Sequence, residues 1–369
     1  MRGVDAPAGI VRRMPRRPAN PAPAPDPAIA SARDGGLVYV SDDQPGLTRR
    51  RTGAHFRYVD AQGRPVRDAA TLQRVRALAI PPAYRDVWIC ASPNGHLQAT
   101  GRDARGRKQY RYHPRWREVR DREKFGRIEA FGAALPRLRQ RLRKDLGLPG
   151  FPRAKVAAMV VAVMADTLVR IGNAGYARDN RSYGLTTLRN RHVRFLRDGR
   201  ARLQFRGKGG IAHDIALDDR RLAGLLRHCQ QLPGQHLFQY RDDDGGVQPV
   251  DSGLVNDYLR EAMGEDFTAK DFRTWGGTLA ALRLLAEMPW DEAGTSQRAM
   301  ASMRKSVEVE VARQLGNTPA VSRKSYIDPR VYRAWERGWL ARASAGVRGP
   351  RQWEALALRL LRQPAAAAR

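Results

Sequence analysis

The chain has 369 residues and carries 67 Lys and Arg against 37 Asp and Glu, a formal net charge of +30. Its two cysteines, Cys90 and Cys229, offer neither a disulfide framework nor zinc spacing, and the histidines show no paired-ligand pattern, so no metal or other cofactor is expected. No apolar run of about 18 residues is present, so no membrane association is expected. The cationic excess calls instead for a polyanion, nucleic acid first, because neutralising phosphates releases condensed counterions.

Residues 1–36 are rich in Pro, Ala and Arg with few large apolar side chains, and read as a disordered basic tail without the apolar core of a signal peptide. A cytoplasmic, nucleoid-associated protein is the expectation. Order is expected from Leu37 to Ser41 (LVYVS). Short strand-like runs follow: HFRYV from His55, VWICA from Val87, HLQAT from His96 and QYRYH from Gln109. A helix capped by Asp68 and stopped by Pro81-Pro82 interrupts them. This makes residues 37–118 a small β-rich domain.

From Trp116 helical patterning takes over, with a charged helix to about Leu146 that is expected to break near Pro136. Lys155 to Ile171 is apolar nearly all round and predicts a buried helix. HVRFL and ARLQF flank Asp198-Gly199, a hairpin signature, and IAHDIAL supplies a third strand. Helices are then expected over 218–231, 251–264, 270–288, 296–315 and 330–342. Residues 119–342 thus form a helical domain with one small sheet, and 343–369 read as an Ala/Arg-rich tail or a frayed helix. The fold class is α+β.

Chemistry is suggested by cations in special places. Arg170 comes at the end of the buried helix, where a guanidinium either caps carbonyls or awaits an anion. Arg273 lies in the first turns of a helix started by Thr268 and Asp271, against the sense of the helix dipole. Lys208 stands in a glycine-flanked loop, FRGKGG. That loop is not a nucleotide-binding P-loop, because Arg202 occupies the first glycine position and Gly209 replaces the Ser or Thr. Tyr326 sits beside Arg323 and Lys324 between Pro319 and Pro329; neighbouring positive charge favours the phenolate and so a nucleophile.

In chain order the motifs GRDARGRKQYRYHPRW, LVRIGN, YGLTTLRNRHV, FRGKGG, KDFRTWGGT and LGNTPAVSRKSYIDP resemble the type IB DNA topoisomerases, in the compact form shared by poxviruses and many bacteria. The resemblance covers residues from about 37 to 342. It implies that Tyr326 is the nucleophile, that Arg170 and Arg273 bind the scissile phosphate, and that Lys208 is the general acid. Asn317, nine positions before Tyr326, falls where poxviral and nuclear members have a histidine; its amide can donate to a non-bridging oxygen without adding charge. Gln109, Tyr110 and Tyr112 match DNA-contacting positions of the small domain, and Tyr176 a further contact. The implied activity is relaxation of positive and negative supercoils through a 3′-phosphotyrosyl intermediate, without ATP or metal. It implies a monomeric, C-shaped clamp around double-stranded DNA, hinged near Trp116 to Phe125. The alternatives are a tyrosine recombinase, which usually shows HxxR where this chain has Lys270-Asp271-Phe272-Arg273, and a non-catalytic DNA-binding protein.

Overall fold

The computed structural model describes residues 27–53, 55–289 and 296–363 and divides the chain into two units, 1–120 and 121–369. The first described element is a helix, α1 (Pro27–Asp34). The sequence reading assigns residues 1–36 to a disordered tail. Residues 27–34 are helical instead, because Ala32 is completely buried in a small cluster with Leu37 and Trp116. Residues 1–26 lie outside the described residues.

The first unit is built on an antiparallel sheet of β1 (Leu47–Thr52), β2 (His55–Val59), β3 (Arg85–Ile89), β4 (Leu97–Arg102) and β5 (Lys108–Tyr112), in the order β2-β1-β3-β4-β5. Helix α2 (Ala69–Ala77) starts at Asp68, whose carboxylate accepts from the Thr71 amide. Leu47, Val75, Val87, Ile89 and Ala99 make the core between sheet and helix. The strand reading misses β1, whose sequence LTRRRT lacks an apolar face. Arg49 explains why it is tolerated between two other strands. Its guanidinium donates to the carbonyls of Ile80, Pro81 and Tyr84 and stacks 4.3 Å over Phe56.

Helix α3 (Pro114–Leu146) is continuous through Pro136, where a break is expected from sequence. Proline in a helix interior costs ~3 kcal/mol, but each large apolar side chain buried gains ~1.5–3 kcal/mol. Phe131, Leu135, Leu138 and Leu142 are all buried around that proline. The unit boundary falls within this helix, and the expected hinge residues Trp116 to Phe125 are helical.

In the second unit α4 (Arg153–Thr167) is the central element: Val156 through Val161, Val163 and Met164 are fully or almost fully buried. It packs on later helices and on the small sheet. The helix ends four residues earlier than Ile171. Leu168 turns left-handed (φ 54°), and the Thr167 hydroxyl donates to the Val163 carbonyl at 2.6 Å. Arg170 therefore lies on an extended segment, and its carbonyl accepts from Leu185 N.

A short helix, α5 (Ala174–Asn180), precedes the antiparallel sheet of β6 (Val193–Phe195), β7 (Ala201–Arg206) and β8 (Ala212–Leu217). On β7 Ala201, Leu203 and Phe205 face inward while Arg202, Gln204 and Arg206 face solvent, the period of two expected of a one-sided strand. The chain continues through α6 (Arg220–Cys229), a small hairpin of β9 (Gln239–Arg241) and β10 (Val247–Pro249), α7 (Ser252–Met263), α8 (Ala269–Ala286) and α9 (Gln297–Leu315). It ends in α10 (Pro319–Ser325), α11 (Pro329–Glu336), α12 (Trp339–Ala343) and α13 (Pro350–Leu361). The architecture is α+β, a small β-rich part followed by a mainly helical part with a three-stranded sheet.

Over 343–369, where the sequence reads as a tail or a frayed helix, α13 is a helix packed into the core. It buries Trp353, Leu356, Ala357, Leu360 and Leu361, spaced as one helical face, and packs on α8 and α11. Residues 364–369 lie outside the described residues. Leu356→Ala is accordingly expected to lower unfolding free energy by about 2–5 kcal/mol in urea denaturation, the usual range for a buried leucine. A change near zero would mean that α13 contributes little to the core.

Candidate active site

Helix α8 carries the centre of the site. Its start is fixed by a capping box in which Thr268 N donates to Asp271 Oδ2 at 2.8 Å. One turn on, Arg273 points inward and is 4% exposed. Among the described residues its guanidinium meets no carboxylate. It donates to the carbonyls of Leu168 and Leu315, the latter at 2.6 Å. These carbonyls close the C-terminal ends of α4 and α9, where helix dipoles place partial negative charge. Arg273 Nε has no partner. Burial, then the charge of Arg170, lowers the Arg273 pKa to about 10.

Two residues after Trp275 the same helix holds the Tyr326 backbone. A Cβ on Gly277 would lie 2.7 Å from the Tyr326 carbonyl oxygen, so only glycine lets the two chains approach this closely. Thr278 Oγ1 donates to that carbonyl at 3.2 Å and accepts from Asp328 N at 3.1 Å. Tyr326 caps the C-terminus of α10, and Asp328 caps the start of α11. The aromatic ring lies 5.0 Å beneath the Arg273 guanidinium. Burial acts to raise the phenol pKa, but the positive charges of Arg273, Arg170 and Lys270 prevail and the net direction is down.

The cations that act on Tyr326 are thus not its sequence neighbours. Arg323 and Lys324 sit on the exposed side of α10. Arg323 approaches Glu308 at 3.9 Å, and Lys324 offers its carbonyl to Lys124. The helical turn of α10 directs both away from the ring, whereas α8 brings Lys270 and Arg273 to it.

Arg170 donates to Asn317 Oδ1 and, at 3.3 Å, to the Gly316 carbonyl. Gly316 ends α9 in the left-handed region (φ 58°), and Asn317 N closes back on Ala312 O at 2.9 Å. Asn317 therefore follows the helix cap with its side chain committed to Arg170, and its Nδ2 donor is buried without a partner. Lys208 stands at the tip between β7 and β8, in a single turn where Gly209 and Gly210 both have positive φ.

Arg170, Lys208, Arg273 and Tyr326 line one cleft of about 290 Å³, together with Lys270, Tyr176 and Tyr183. Among the described residues no acidic side chain lines it. Its donors fit an anion and not a metal ion. Tyr176, 55% exposed on α5, is also at this cleft. Lys270 was passed over as a site residue; its position three before Arg273 on one helix face is the signal that could have found it.

Gln109, Tyr110 and Tyr112 belong to the first unit, on the edge strand β5. Tyr110 and Tyr112 share a face with their rings parallel at 6.0 Å, and Tyr110 is 47% exposed. Gln109 faces the opposite way and donates to Asp103 at 2.9 Å. Lys108 is tied to Asp42 at 2.6 Å.

Residues 113–334 match the family model described as eukaryotic DNA topoisomerase I, catalytic core, and residues 55–103 match the bacterial DNA topoisomerase IB N-terminal domain. The chain is 32% identical over 292 residues to DNA topoisomerase 1B of Acanthamoeba polyphaga mimivirus, covering 76% of this chain and 85% of that protein. Over 251 residues it is 22% identical to DNA topoisomerase I of Monkeypox virus and, equally, to DNA topoisomerase 1B of Vaccinia virus (strain Copenhagen), covering 66% of this chain and 73% of each. With the α+β architecture and the cationic tyrosine cleft, these matches decide between the enzyme and its alternatives: the chain belongs to the type IB DNA topoisomerases, an isomerase family.

Proposed function

We propose that the protein relaxes supercoiled duplex DNA by transient cleavage of one strand, with Tyr326 as nucleophile and no need for ATP or a divalent metal. The observation that carries this reading is the cleft in which Tyr326 faces Arg170, Lys208 and Arg273 with no carboxylate. Tyr326 releases its phenolic proton to solvent and attacks the scissile phosphorus as the phenolate, the bond to the 5′-oxygen breaks, and the strand remains joined through a 3′-phosphotyrosine. Negative charge grows on the non-bridging oxygens, where Arg170 and Arg273 stabilise it. Lys208 gives its proton to the departing 5′-oxygen. In the reverse step that hydroxyl returns its proton and attacks the phosphotyrosine. The covalent link conserves the bond energy, and torsion relaxes while the free strand turns.

Two donors in the site, Arg273 Nε and Asn317 Nδ2, have no hydrogen-bond partner among the described residues. A buried donor left unpaired costs about 1–3 kcal/mol, which a phosphate oxygen would recover. We assign Asn317 two tasks: Oδ1 holds Arg170, and Nδ2 donates to a non-bridging oxygen. The β5 face that carries exposed Tyr110 and half-buried Tyr112, together with Tyr176, is assigned to binding the duplex outside the scissile phosphate. The clamp expected from sequence enters this reading only as contact of both units with the same DNA.

Incubation with positively and negatively supercoiled plasmid in EDTA, without nucleotide, is expected to yield relaxed topoisomers. Tyr326→Phe is expected to abolish relaxation and the denaturant-trapped DNA adduct while retaining duplex binding. Dependence on magnesium or ATP, or an adduct formed by Tyr326→Phe, would overturn the reading.

Lys208→Ala is expected to slow single-turnover cleavage by roughly 10²- to 10⁴-fold, the usual worth of general acid catalysis. A substrate with sulfur in place of the bridging 5′-oxygen needs little protonation and should restore most of that rate. Asn317→Ala is expected to cost roughly 10- to 10³-fold in cleavage, as for loss of one donor to the developing charge, with Asn317→His retaining more activity. Equal loss in both Asn317 variants, in step with a lowered melting temperature, would make Asn317 a helix-ending residue only.

A further inference from the structure

His213 does not line the catalytic cleft, yet its ring touches both chain segments that present polar groups to it. On β8 it pairs across the strands with Phe205, and the two rings stack at 4.8 Å with 14° between planes. Phe205 is 7% exposed and packed in the core, so the imidazole rests on a fixed support. One edge of the ring meets Gly207: a Cβ there would lie 2.5 Å from Nε2 and 2.6 Å from Cδ2. The other side meets Gly316, where a Cβ would lie 2.4 Å from Cε1. Gly207 immediately precedes Lys208, and Gly316 immediately precedes Asn317 and offers its carbonyl to Arg170.

We propose that His213 is a positioning residue for DNA cleavage, a wedge that sets the Lys208 turn at its distance from the Arg170–Asn317 arm. The proposal rests on the general-acid reading of Lys208. Gly209 and Gly210, both with positive φ, leave the Lys208 turn little stiffness of its own. The turn is held by Gly210 N donating to Gly207 O at 3.0 Å, by Gly207 N donating to Ile211 O at 2.8 Å, by Ser182 Oγ donating to Gly207 O at 3.2 Å, and by the imidazole. Of these, the imidazole also bears on the phosphate arm, through Gly316. Without it the lysine remains present but loses its placement relative to the departing oxygen.

Geometric error of this kind is costly: a displacement of about 1 Å can reduce a rate about 10²-fold. In single-turnover cleavage of a duplex carrying the mapped cleavage site, His213→Ala is expected to lose rate on that scale, with duplex affinity little changed. Sulfur at the bridging 5′-oxygen should return most of the loss, as it does for Lys208→Ala. Gly207 has φ of −94°, a value open to alanine, so Gly207→Ala tests the contact itself. Alone it pushes the turn off the ring and should slow cleavage. In the His213→Ala background the added methyl should cost little more.

Three results would overturn the proposal. One is costs that multiply in the double variant. Another is a His213→Ala deficit untouched by sulfur while Lys208→Ala is rescued. The third is a deficit that merely follows the folded fraction in thermal melts. If sulfur rescues neither variant, the general-acid reading of Lys208 falls, and the Gly207–His213 pair still decides whether the wedge acts on cleavage.

Discussion

A buried guanidinium that no carboxylate among the described residues neutralises is the constraint on which the second unit is arranged. Arg273 is 4% exposed, and the partial charges at the ends of α4 and α9 are what it has in exchange for water. Such carbonyls hold the side chain in place but cancel only part of a full charge. A carboxylate at the same spot would stabilise the free protein and then compete with a phosphate for the arginine. The resident acceptors fix the fork of the guanidinium while leaving Nε free. The site is preorganised for an anion that it does not itself contain, which is the condition for electrostatic stabilisation of charge that develops only during reaction.

The same residue ties together elements far apart in sequence. Leu168 leaves α4 in a left-handed turn, and that turn directs both its carbonyl to Arg273 and the following Arg170 towards the cleft. Leu315 ends α9, and the next two residues bring a carbonyl and an amide oxygen to Arg170. Tyr326 is pinned to α8 through Gly277 and Thr278 and lies under the Arg273 guanidinium. One helix therefore positions Tyr326 and Arg273, and helix ends position Arg170. Glycine within a helix costs ~1 kcal/mol relative to alanine, and at Gly277 that cost permits the close approach of Tyr326.

The α+β class, the three-stranded sheet and the fully apolar α4 were legible because each rests on a local period or turn signal. The runs around Arg170, Lys208, Arg273 and Tyr326 stand out in the sequence as motifs that resemble, in order, those of the type IB topoisomerases. What acts on Tyr326 was not legible. Arg323 and Lys324 adjoin it in the chain, but α10 turns them outward, and the effective cations arrive from α8 and from the segment after α4. Helices α1 and α13 were hidden by composition, since alanine- and arginine-rich stretches read as a tail, or at most a frayed helix, until Ala32 or Leu356 is seen to be buried. β1 was hidden because Arg49 serves the fold by satisfying three carbonyls. The end of α4 was misplaced because nothing in TLVRIGN announces a left-handed leucine.

The central claim is that the uncompensated cations around Arg273 hold Tyr326 below its ordinary pKa of about 10. A tyrosine whose charged form is favoured in the folded protein keeps its phenolate to lower pH, and that advantage is lost only as pH falls through the depressed value. Titrating the protein with ring-carbon-labelled tyrosine by NMR, with Tyr326→Phe to assign the signal, reads this directly. The account predicts that the Tyr326 resonance titrates below the ordinary tyrosine value in the free enzyme and moves back up in Arg273→Gln. A Tyr326 that titrates at or above that value in the unaltered protein would contradict it.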